Sequence, residues 1–350
     1  MGDPPACLRQ IAERVERRLA ALLDHERERW AALDPELAAP LDALAALVMA
    51  GGKRLRPAFC HWAFVGAGGD PDDPLVIDAG AAFELLHAFA LVHDDVMDGS
   101  ATRRGARTLH LTFEDRHRLG QWRGEARRFG EGVAILVGDL SFVYADQLLR
   151  AAPTEALEVW DELRIELNIG QYLDMVGTAQ RAFDRADAER IARYKSGKYT
   201  VERPLHLGVA LARDRTGLAH HLSGYGLPLG DAFQLRDDVL GAFGDSSLTG
   251  KPVGDDLREG KPTPLLAIAT ERAGRRERTA LARVGDPELD EEAIAAIQQV
   301  LVATGALDEV EAVIEELAEK AVAALDAAPI ASPSRDALAD LARFVAWRDR

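Results

Sequence analysis

The sequence contains little cysteine, has no excess of basic residues and lacks a long uninterrupted apolar run. Only Cys7 and Cys60 occur among its 350 residues, so we expect no disulfide framework and a reducing compartment. The formal net charge of -16 argues against a nucleic-acid partner, because phosphate backbones are bound by basic surfaces.

No stretch reaches the ~20 apolar residues that are needed to cross a bilayer. Residues 1–34 mix Arg and Glu too densely for a secretory signal or a transit peptide. We therefore expect a soluble, cytoplasmic protein without a membrane span.

Alanine and leucine dominate, with glutamate and arginine between them, and the apolar residues recur at spacings of three and four. This pattern is typical of helices. Glycine and proline clusters separate the helical segments, but no shift in composition marks a linker. We predict a single all-α domain over residues 1–350, with residues 110–131, which are polar and mixed in charge, as an exposed surface insertion.

A first acidic motif ends one predicted helix. On a helix that stops at Asp98, Asp94 lies one turn away, with Cβ atoms about 5–6 Å apart. Asp95 is adjacent, and Glu84 and His87 continue the same polar stripe. Buried carboxylates need a partner, and Mg²⁺ takes oxygen ligands and completes its shell with substrate phosphates. For a lone motif, a charged helix end is an equally good interpretation.

Two basic segments favour the magnesium interpretation. Arg103 and Arg104 follow the carboxylates directly, and a guanidinium group suits bidentate phosphate contacts. Residues 51–57 (GGKRLRP) place three cations after flexible backbone. Each segment alone could be solvated surface, but together they indicate two anion sites beside a metal cluster.

A second polar face carries Gln234, Asp237 and Asp238, followed by Lys251 and Lys261. Lysine on a glycine-rich loop can follow a phosphate as a mobile point charge. Residues 194–200 add further cations and hydroxyls, and Gln171 and Asp174 share one helix face.

These motifs occur in an order that resembles the trans-isoprenyl diphosphate synthases, from about Leu44 to the C-terminus. The ordered set is GGKRLRP, ELLH, DDVMD with RRG, Gly138-Asp139, Gly170-Gln171 with Asp174, Lys195-Ser196, FQLRDD and Gly250-Lys251. The resemblance implies an all-α bundle of the isoprenoid synthase type around a deep central cavity, usually as a homodimer. It also implies an enzyme that joins isopentenyl diphosphate to an allylic diphosphate with three Mg²⁺ ions.

The resemblance assigns a role to individual residues. The implied metal ligands are Asp94, Asp95, Asp98, Asp237 and Asp238. The implied cations around the allylic diphosphate are Arg103, Lys195, Lys251 and Lys261. The implied isopentenyl diphosphate pocket consists of Lys53, Arg56, His87 and Arg104. The implied remaining substrate contacts are Gln171, Ser196, Tyr199 and Gln234. The catalytic set among these is Asp94, Asp98, Arg103, Lys195, Asp237 and Lys251.

The chain departs from the family at one position. The usual second motif has a third aspartate where this sequence has Gly241. Since Mg²⁺ tolerates water in place of a carboxylate, we expect a looser second metal site rather than an inactive protein.

Product length should depend on the floor of the cavity, for which the resemblance indicates Leu86, Phe89 and Ala90. One aromatic residue there predicts geranylgeranyl diphosphate as the product, with farnesyl or longer polyprenyl diphosphate as alternatives, although Phe89 could simply be core. A class I terpene cyclase would not need Lys53, Arg56 and Arg104. A non-catalytic subunit of a heteromeric synthase would commonly lose the aspartates.

Overall fold

The structure, a computed structural model, describes residues 4–180, 186, 188, 190, 193–214, 217–244, 254–286 and 288–347, apart from the side chains of residues 195 and 255. This part of the chain is helical except for one short hairpin, which confirms the predicted all-α class. It forms two compact units. The N-terminal unit comprises Ala6–His61 and Asp70–Ala152, and the C-terminal unit comprises the described residues of Met1–Pro5, Trp62–Gly69 and Pro153–Arg350.

The elements up to residue 152 are α1 (Ala6–Ala31), a 3₁₀ turn (Pro35–Leu37), α2 (Ala38–Met49), α3 (Leu55–Gly66), α4 (Pro74–Asp98), β1 (Thr102–Arg103), β2 (Ala106–Arg107), α5 (Leu109–Leu119) and α6 (Ala126–Leu148).

Helix α4 is the central helix of the N-terminal unit. Helix α1 approaches it so closely that a Cβ atom on Gly80 would lie 2.8 Å from Cγ2 of Val15. On another side, the Ser141 hydroxyl of α6 donates a hydrogen bond of 2.7 Å to the carbonyl oxygen of Leu85. Each fully buried aliphatic or aromatic side chain of α4 contributes roughly 1.5–3 kcal/mol, so its position is firmly fixed.

The segment 110–131, predicted as an exposed insertion, is only partly exposed. Helix α5 occupies its first half and buries His110 and His117. Gly130 of α6 packs against α5, because a Cβ atom there would lie 2.1 Å from the carbonyl oxygen of His110. Residues 118–125 are exposed as predicted. The prediction was wrong for α5 because the polar composition of the segment gave no indication that one face of this helix is buried.

The elements from residue 153 onward are α7 (Thr154–Gln180), a π-helix (Arg193–Glu202), α8 (Arg203–Leu211), α9 (Leu218–Phe243), α10 (Asp255–Glu259), α11 (Pro264–Arg272), α12 (Arg275–Leu281), α13 (Glu291–Ala303), α14 (Ala306–Ala324), a 3₁₀ turn (Leu325–Ala327) and α15 (Ser332–Trp347).

Helix α9 is the central helix of the C-terminal unit. Its backbone touches the π-helix directly, since a Cβ atom on Gly230 would lie 2.6 Å from the carbonyl oxygen of Gly197. Arg236 is almost fully buried and donates to both carboxylate oxygens of Glu311 at 2.6 and 2.7 Å, and to the carbonyl oxygen of Ala346 at 3.0 Å. These bonds attach α9 to α14 and α15.

Within the described residues, α4 is the one single helix long and apolar enough, by length and composition, to cross a membrane. Helices α13 and α14 reach that threshold only as a pair bent by 64°. Of the most apolar 18-residue window of α4, 61% is buried inside the protein. This burial is what the core helix of a helical bundle shows.

Candidate active site

The first aspartate motif lies at the carboxyl end of α4. Asp94 and Asp98 are partly exposed, whereas Asp95 is buried. Gly99, with a φ angle of 66°, ends the helix directly after Asp98. The negative end of the helix dipole therefore coincides with three carboxylates. This concentration of negative charge favours a bound cation.

Arg103 contacts two of these carboxylates. Its Nε and Nη2 atoms donate to Oδ1 of Asp95 at 2.9 and 2.5 Å, and Nη2 lies 3.3 Å from Oδ2 of Asp94. The hairpin of β1 and β2 holds Arg103 there, with Ala106 opposite it. The turn between them has positive φ at both of its residues, 104 and 105, as a type I′ turn requires. The tight turn thus fixes both arginines of the motif.

The second arginine, Arg104, lines a separate small pocket together with Arg54, Glu84 and His87. Its Nη1 atom donates to the carbonyl oxygen of Leu47 at 3.0 Å. Burial lowers the pKa of Arg104, but an arginine remains charged in proteins. The pocket therefore carries fixed positive charge.

The charges around His87 make this pocket suited to an anion. Burial lowers the pKa of His87 well below its usual value, and the charges of Arg56, Arg104, Arg103 and Arg54 lower it further. A neutral imidazole among guanidinium groups marks a region that favours negative charge. The structure thus brings together three of the residues predicted to bind isopentenyl diphosphate.

The fourth, Lys53, is exposed on the segment that passes this pocket. A Cβ atom on the preceding Gly52 would lie 3.2 Å from Nη2 of Arg104. Gly51 and Gly52 both have positive φ angles, 99° and 154°, which glycine adopts without strain. The two glycines therefore let the lysine-bearing segment approach the arginine closely.

Arg54, one of the three cations counted in residues 51–57, is buried, and sequence reasoning did not identify its partners. Its Nη1 donates to Glu84 and its Nη2 to the carbonyl oxygen of Val48 at 2.7 Å. The signal that could have found this pairing was Glu84, an acidic residue on an otherwise apolar helix that must have a buried partner.

The predicted floor residues lie about one to two helical turns before Asp94. Leu86 is fully buried, and Ala90 is partly buried. The ring of Phe89 packs edge-on against Phe142 of α6, with ring centroids 4.9 Å apart, and lies 4.6 Å from the ring of His93. Such tilted contacts are favoured between aromatic rings. Phe142 was missed because it lies 53 residues after Phe89, and no local pattern links them.

The π-helix carries the next group of predicted residues. Tyr199 is buried and Ser196 partly buried, while the side chain of Lys195 lies outside the described residues. On α7, Gln171 is partly exposed and Asp174 is buried. π-Helical segments are rare in proteins, and those that occur often lie at functional sites.

A buried carboxylate anchors the π-helix to α7. Glu166 accepts hydrogen bonds from Lys198, and from Nε and Nη2 of Arg203 at 2.6 and 2.7 Å. Although burial acts in the opposite direction, the hydrogen bonds from Arg203 and Lys198 lower the pKa of Glu166. The ion cluster fixes the π-helix that contains residue 195.

The second aspartate motif lies on α9. Asp238 is buried and accepts a hydrogen bond of 2.7 Å from Nε2 of Gln234. Burial, and then the charges of Asp256 and Asp237, raise the pKa of Asp238 well above its usual value. A bound dication would reverse this effect and stabilise the charged carboxylate.

The space beside Gly241 contains a carboxylate from another helix. A Cβ atom on Gly241 would lie only 1.8 Å from Oδ2 of Asp256 on α10. Lys261 lies 3.7 Å from Oδ1 of Asp256 and 2.6 Å from Oε2 of Glu259. Lys251 lies outside the described residues.

The carboxylates fit magnesium that arrives with a phosphate ligand. Within the described part of the chain, no three His, Cys, Asp or Glu side chains are placed to hold a metal by themselves. Mg²⁺ needs only one or two carboxylates when substrate phosphates and water complete its shell. Asp94 and Asp98 offer such oxygen atoms within the N-terminal unit, and Asp237 and Asp238 offer them within the C-terminal unit.

Comparison with known proteins decides the family. The sequence pattern of the polyprenyl synthetase family matches residues 38–301. The chain belongs to this family. Its membership confirms the predicted isoprenoid synthase fold and the predicted class of enzyme, a prenyl-transferring transferase.

Solved structures of the family resemble this synthetase over nearly its whole length. The geranylgeranyl pyrophosphate synthase of Corynebacterium glutamicum, complexed with isoprenyl diphosphate and magnesium, is 38% identical, with a TM-score of 0.92 and coverage of 97% of this chain and 99% of that chain. A polyprenyl synthase from Caulobacter crescentus, complexed with calcium and isoprenyl diphosphate, is 32% identical with a TM-score of 0.78, covering 97% and 98%. The geranylfarnesyl diphosphate synthase of Aeropyrum pernix is 34% identical, over 75% of this chain and 79% of that protein.

Proposed function

We propose that this chain condenses isopentenyl diphosphate with an allylic diphosphate and releases geranylgeranyl diphosphate. The observation that carries the proposal is the difference in charge between two parts of α4. Its carboxyl end presents aspartates that attract cations, whereas the pocket around His87 carries arginines that attract an anion. A reaction between two diphosphates, only one of which must leave, calls for both kinds of site.

Asp94 and Asp98 would hold a divalent metal that arrives with the allylic diphosphate. Magnesium, when bound with the substrate, stabilises the charge that develops on the departing diphosphate. The family suggests three ions for each active site, and the C. glutamicum complex with magnesium supports the metal. Arg103 is already oriented by Asp94 and Asp95 and adds a preorganised donor for the leaving oxygens.

The pocket around His87 binds isopentenyl diphosphate without metal. Arg104 and Arg56 neutralise its phosphates, and the lowered pKa of His87 keeps the imidazole neutral, so that one ring nitrogen accepts while the other donates. The double bond of this substrate attacks the allylic cation, and loss of a proton regenerates an allylic diphosphate. We assign that proton to the released pyrophosphate.

The product length is set by the apolar residues before Asp94. Phe89, held by Phe142 and His93, forms the floor, and a small Ala90 beside it leaves room for a chain longer than farnesyl. The similar proteins include both a geranylgeranyl and a geranylfarnesyl synthase.

We also propose a cytoplasmic homodimer. Helix α6 exposes Ile135, Leu136 and Val143, which are 44, 63 and 50% exposed, and α7 exposes Ile169 and Tyr172. Such apolar surface is suited to a second copy of the chain. Light scattering coupled to size exclusion should give twice the chain mass, and Leu136→Glu should weaken the dimer.

Incubation with Mg²⁺, labelled isopentenyl diphosphate and dimethylallyl, geranyl or farnesyl diphosphate tests the activity. Geranylgeranyl diphosphate should be the main product, and elongation of none of the three primers would refute the proposal. Asp94→Asn should lower kcat/KM by about 100-fold or more, whereas Asp161→Asn, at an exposed carboxylate of α7, should not change it.

A further inference from the structure

A helix of one turn holds Lys261, a predicted diphosphate ligand. Helix α10 is bounded by Gly254 and Gly260, both in the left-handed conformation with φ of 71°. The ammonium group of Lys261 lies between two carboxylates of this helix, 2.6 Å from Glu259 and 3.7 Å from Asp256. The lysine side chain therefore has a defined direction before any ligand binds.

Asp256 contacts Lys261 through its backbone as well as its side chain. Its carbonyl oxygen accepts hydrogen bonds from the backbone N–H groups of Gly260 at 3.0 Å and Lys261 at 3.2 Å, which close the carboxyl end of the helix. The backbone bond fixes where the lysine side chain starts, and the carboxylate attracts its end. Preorganisation of a flexible lysine reduces the entropy that is lost when a ligand binds.

Asp256 can occupy this position only because residue 241 has no side chain. A Cβ atom on Gly241 would lie 1.8 Å from Oδ2 and 2.6 Å from Cγ of Asp256, and neither separation is sterically allowed. Gly241 lies inside α9 and its φ is not positive, so backbone conformation does not require glycine there. Glycine inside a helix is unfavourable relative to alanine. Residue 241 is a glycine because Asp256 occupies the space of a side chain there.

We propose that Asp256 is a positioning residue that orients Lys261 toward the allylic diphosphate, and that Gly241 is the residue that admits it. The glycine that interrupts the second aspartate motif thus makes room for a carboxylate from α10. This proposal rests on the proposed function and on the predicted role of Lys261 as a cation at the allylic diphosphate.

Asp256→Asn tests the role of the carboxylate. It should raise the KM for the allylic diphosphate about two- to fivefold, the factor expected of an ion pair near the surface, and leave the KM for isopentenyl diphosphate unchanged. Added to Lys261→Gln, the same change should have no further effect, because Asp256 acts through the lysine. An equal loss in both backgrounds would overturn the proposal. So would a shift in the Mg²⁺ concentration for half-maximal activity with unchanged substrate KM.

Gly241→Ala tests whether Asp256 needs the space left by the missing side chain at residue 241. Gly224→Ala on the same helix is the matched control. A Cβ atom on Gly224 would meet only Cβ of Ala324, at 3.6 Å. Gly224→Ala should therefore leave KM unchanged and raise Tm, whereas Gly241→Ala should raise the KM for the allylic diphosphate and lower Tm. Both effects of Gly241→Ala should disappear in an Asp256→Ala background.

The two proposals fail in different ways. An inactive wild-type chain refutes the proposed function. An active wild type in which Gly241→Ala behaves like Gly224→Ala refutes the positioning role alone.

Discussion

Replacing Phe89 by alanine should lengthen the product by about one five-carbon unit. Phe89 precedes Asp94 by five residues, which is about 7.5 Å along α4, and Leu86 is about 4.5 Å further on. Removal of the ring moves the floor from Phe89 to Leu86. That added depth is close to one helical turn, which is about the length of the four chain carbons that one isoprene unit contributes.

The size of the shift follows from the energy of the clash that is removed. Discrimination by a methylene-sized group in an apolar pocket amounts to about 1–3 kcal/mol, or 10- to 200-fold. A ring is larger, so geranylfarnesyl diphosphate should become the main product instead of a trace. Reverse-phase chromatography of the dephosphorylated products measures the ratio directly.

Two further variants make the test specific. Leu86→Ala alone should leave the product length unchanged because Phe89 still closes the cavity above it. Phe142→Ala should lengthen the product in the same direction as Phe89→Ala, since the two rings pack edge-on at 4.9 Å. An unchanged distribution in Phe89→Ala, with Tm showing a folded protein, would mean that the growing chain passes elsewhere and that the ring is core.

Three further predictions concern Arg103, His61 and Gly130. Arg103→Gln should lower kcat/KM about 100-fold, or about 2.7 kcal/mol, and a smaller loss in Arg103→Lys would show that charge rather than the two bonds to Asp95 matters. Burial lowers the pKa of His61 to about 4, so its contribution to stability is complete above pH 6.5 and is lost as the pH falls toward 4. His61→Gln should therefore remove about 2 kcal/mol of the destabilisation between pH 7.5 and 5 in urea unfolding, and parallel curves for both proteins would contradict this. Gly130→Ala should destabilise by about 1–3 kcal/mol because α5 occupies the space of its Cβ, whereas Gly132→Ala on the same helix meets nothing and should stabilise by about 0.5–1 kcal/mol; equal Tm changes would show that α5 can move away.

Helical periodicity predicted what depends on neighbours along the chain. The proposed helix up to Asp98 exists, and its polar stripe of Glu84, His87, Asp94 and Asp98 follows from 100° per residue. Periodicity could not tell which stripe members face a ligand and which face the core. Glu84 is buried against Arg54, 30 residues away, and that pairing depends on tertiary packing.

The same limit explains the second motif. From sequence, Gly241 was a missing aspartate, and a looser metal site was the natural prediction. The structure adds Asp256, which lies beside Gly241 because α10 packs against α9. A glycine within a helix has no sequence signal that says what fills its space. Lys195 and Lys251 stay predictions, because the side chain of the first and the whole of the second lie outside the described residues.

The charges along α4 differ between two of its parts, so in the proposed function each part would bind a different diphosphate. His87 and Asp94 are seven residues apart, about 10.5 Å along the axis. At the Asp94 end, carboxylates and the helix dipole outweigh the single Arg103, so a diphosphate can bind there only with added cations. At the His87 end, arginines outweigh Glu84, so we expect a diphosphate to bind there without metal and a metal ion to be repelled. Raising Mg²⁺ should therefore tighten binding of the allylic substrate while leaving that of isopentenyl diphosphate nearly unchanged, and equal tightening of both in calorimetric titrations would refute this separation.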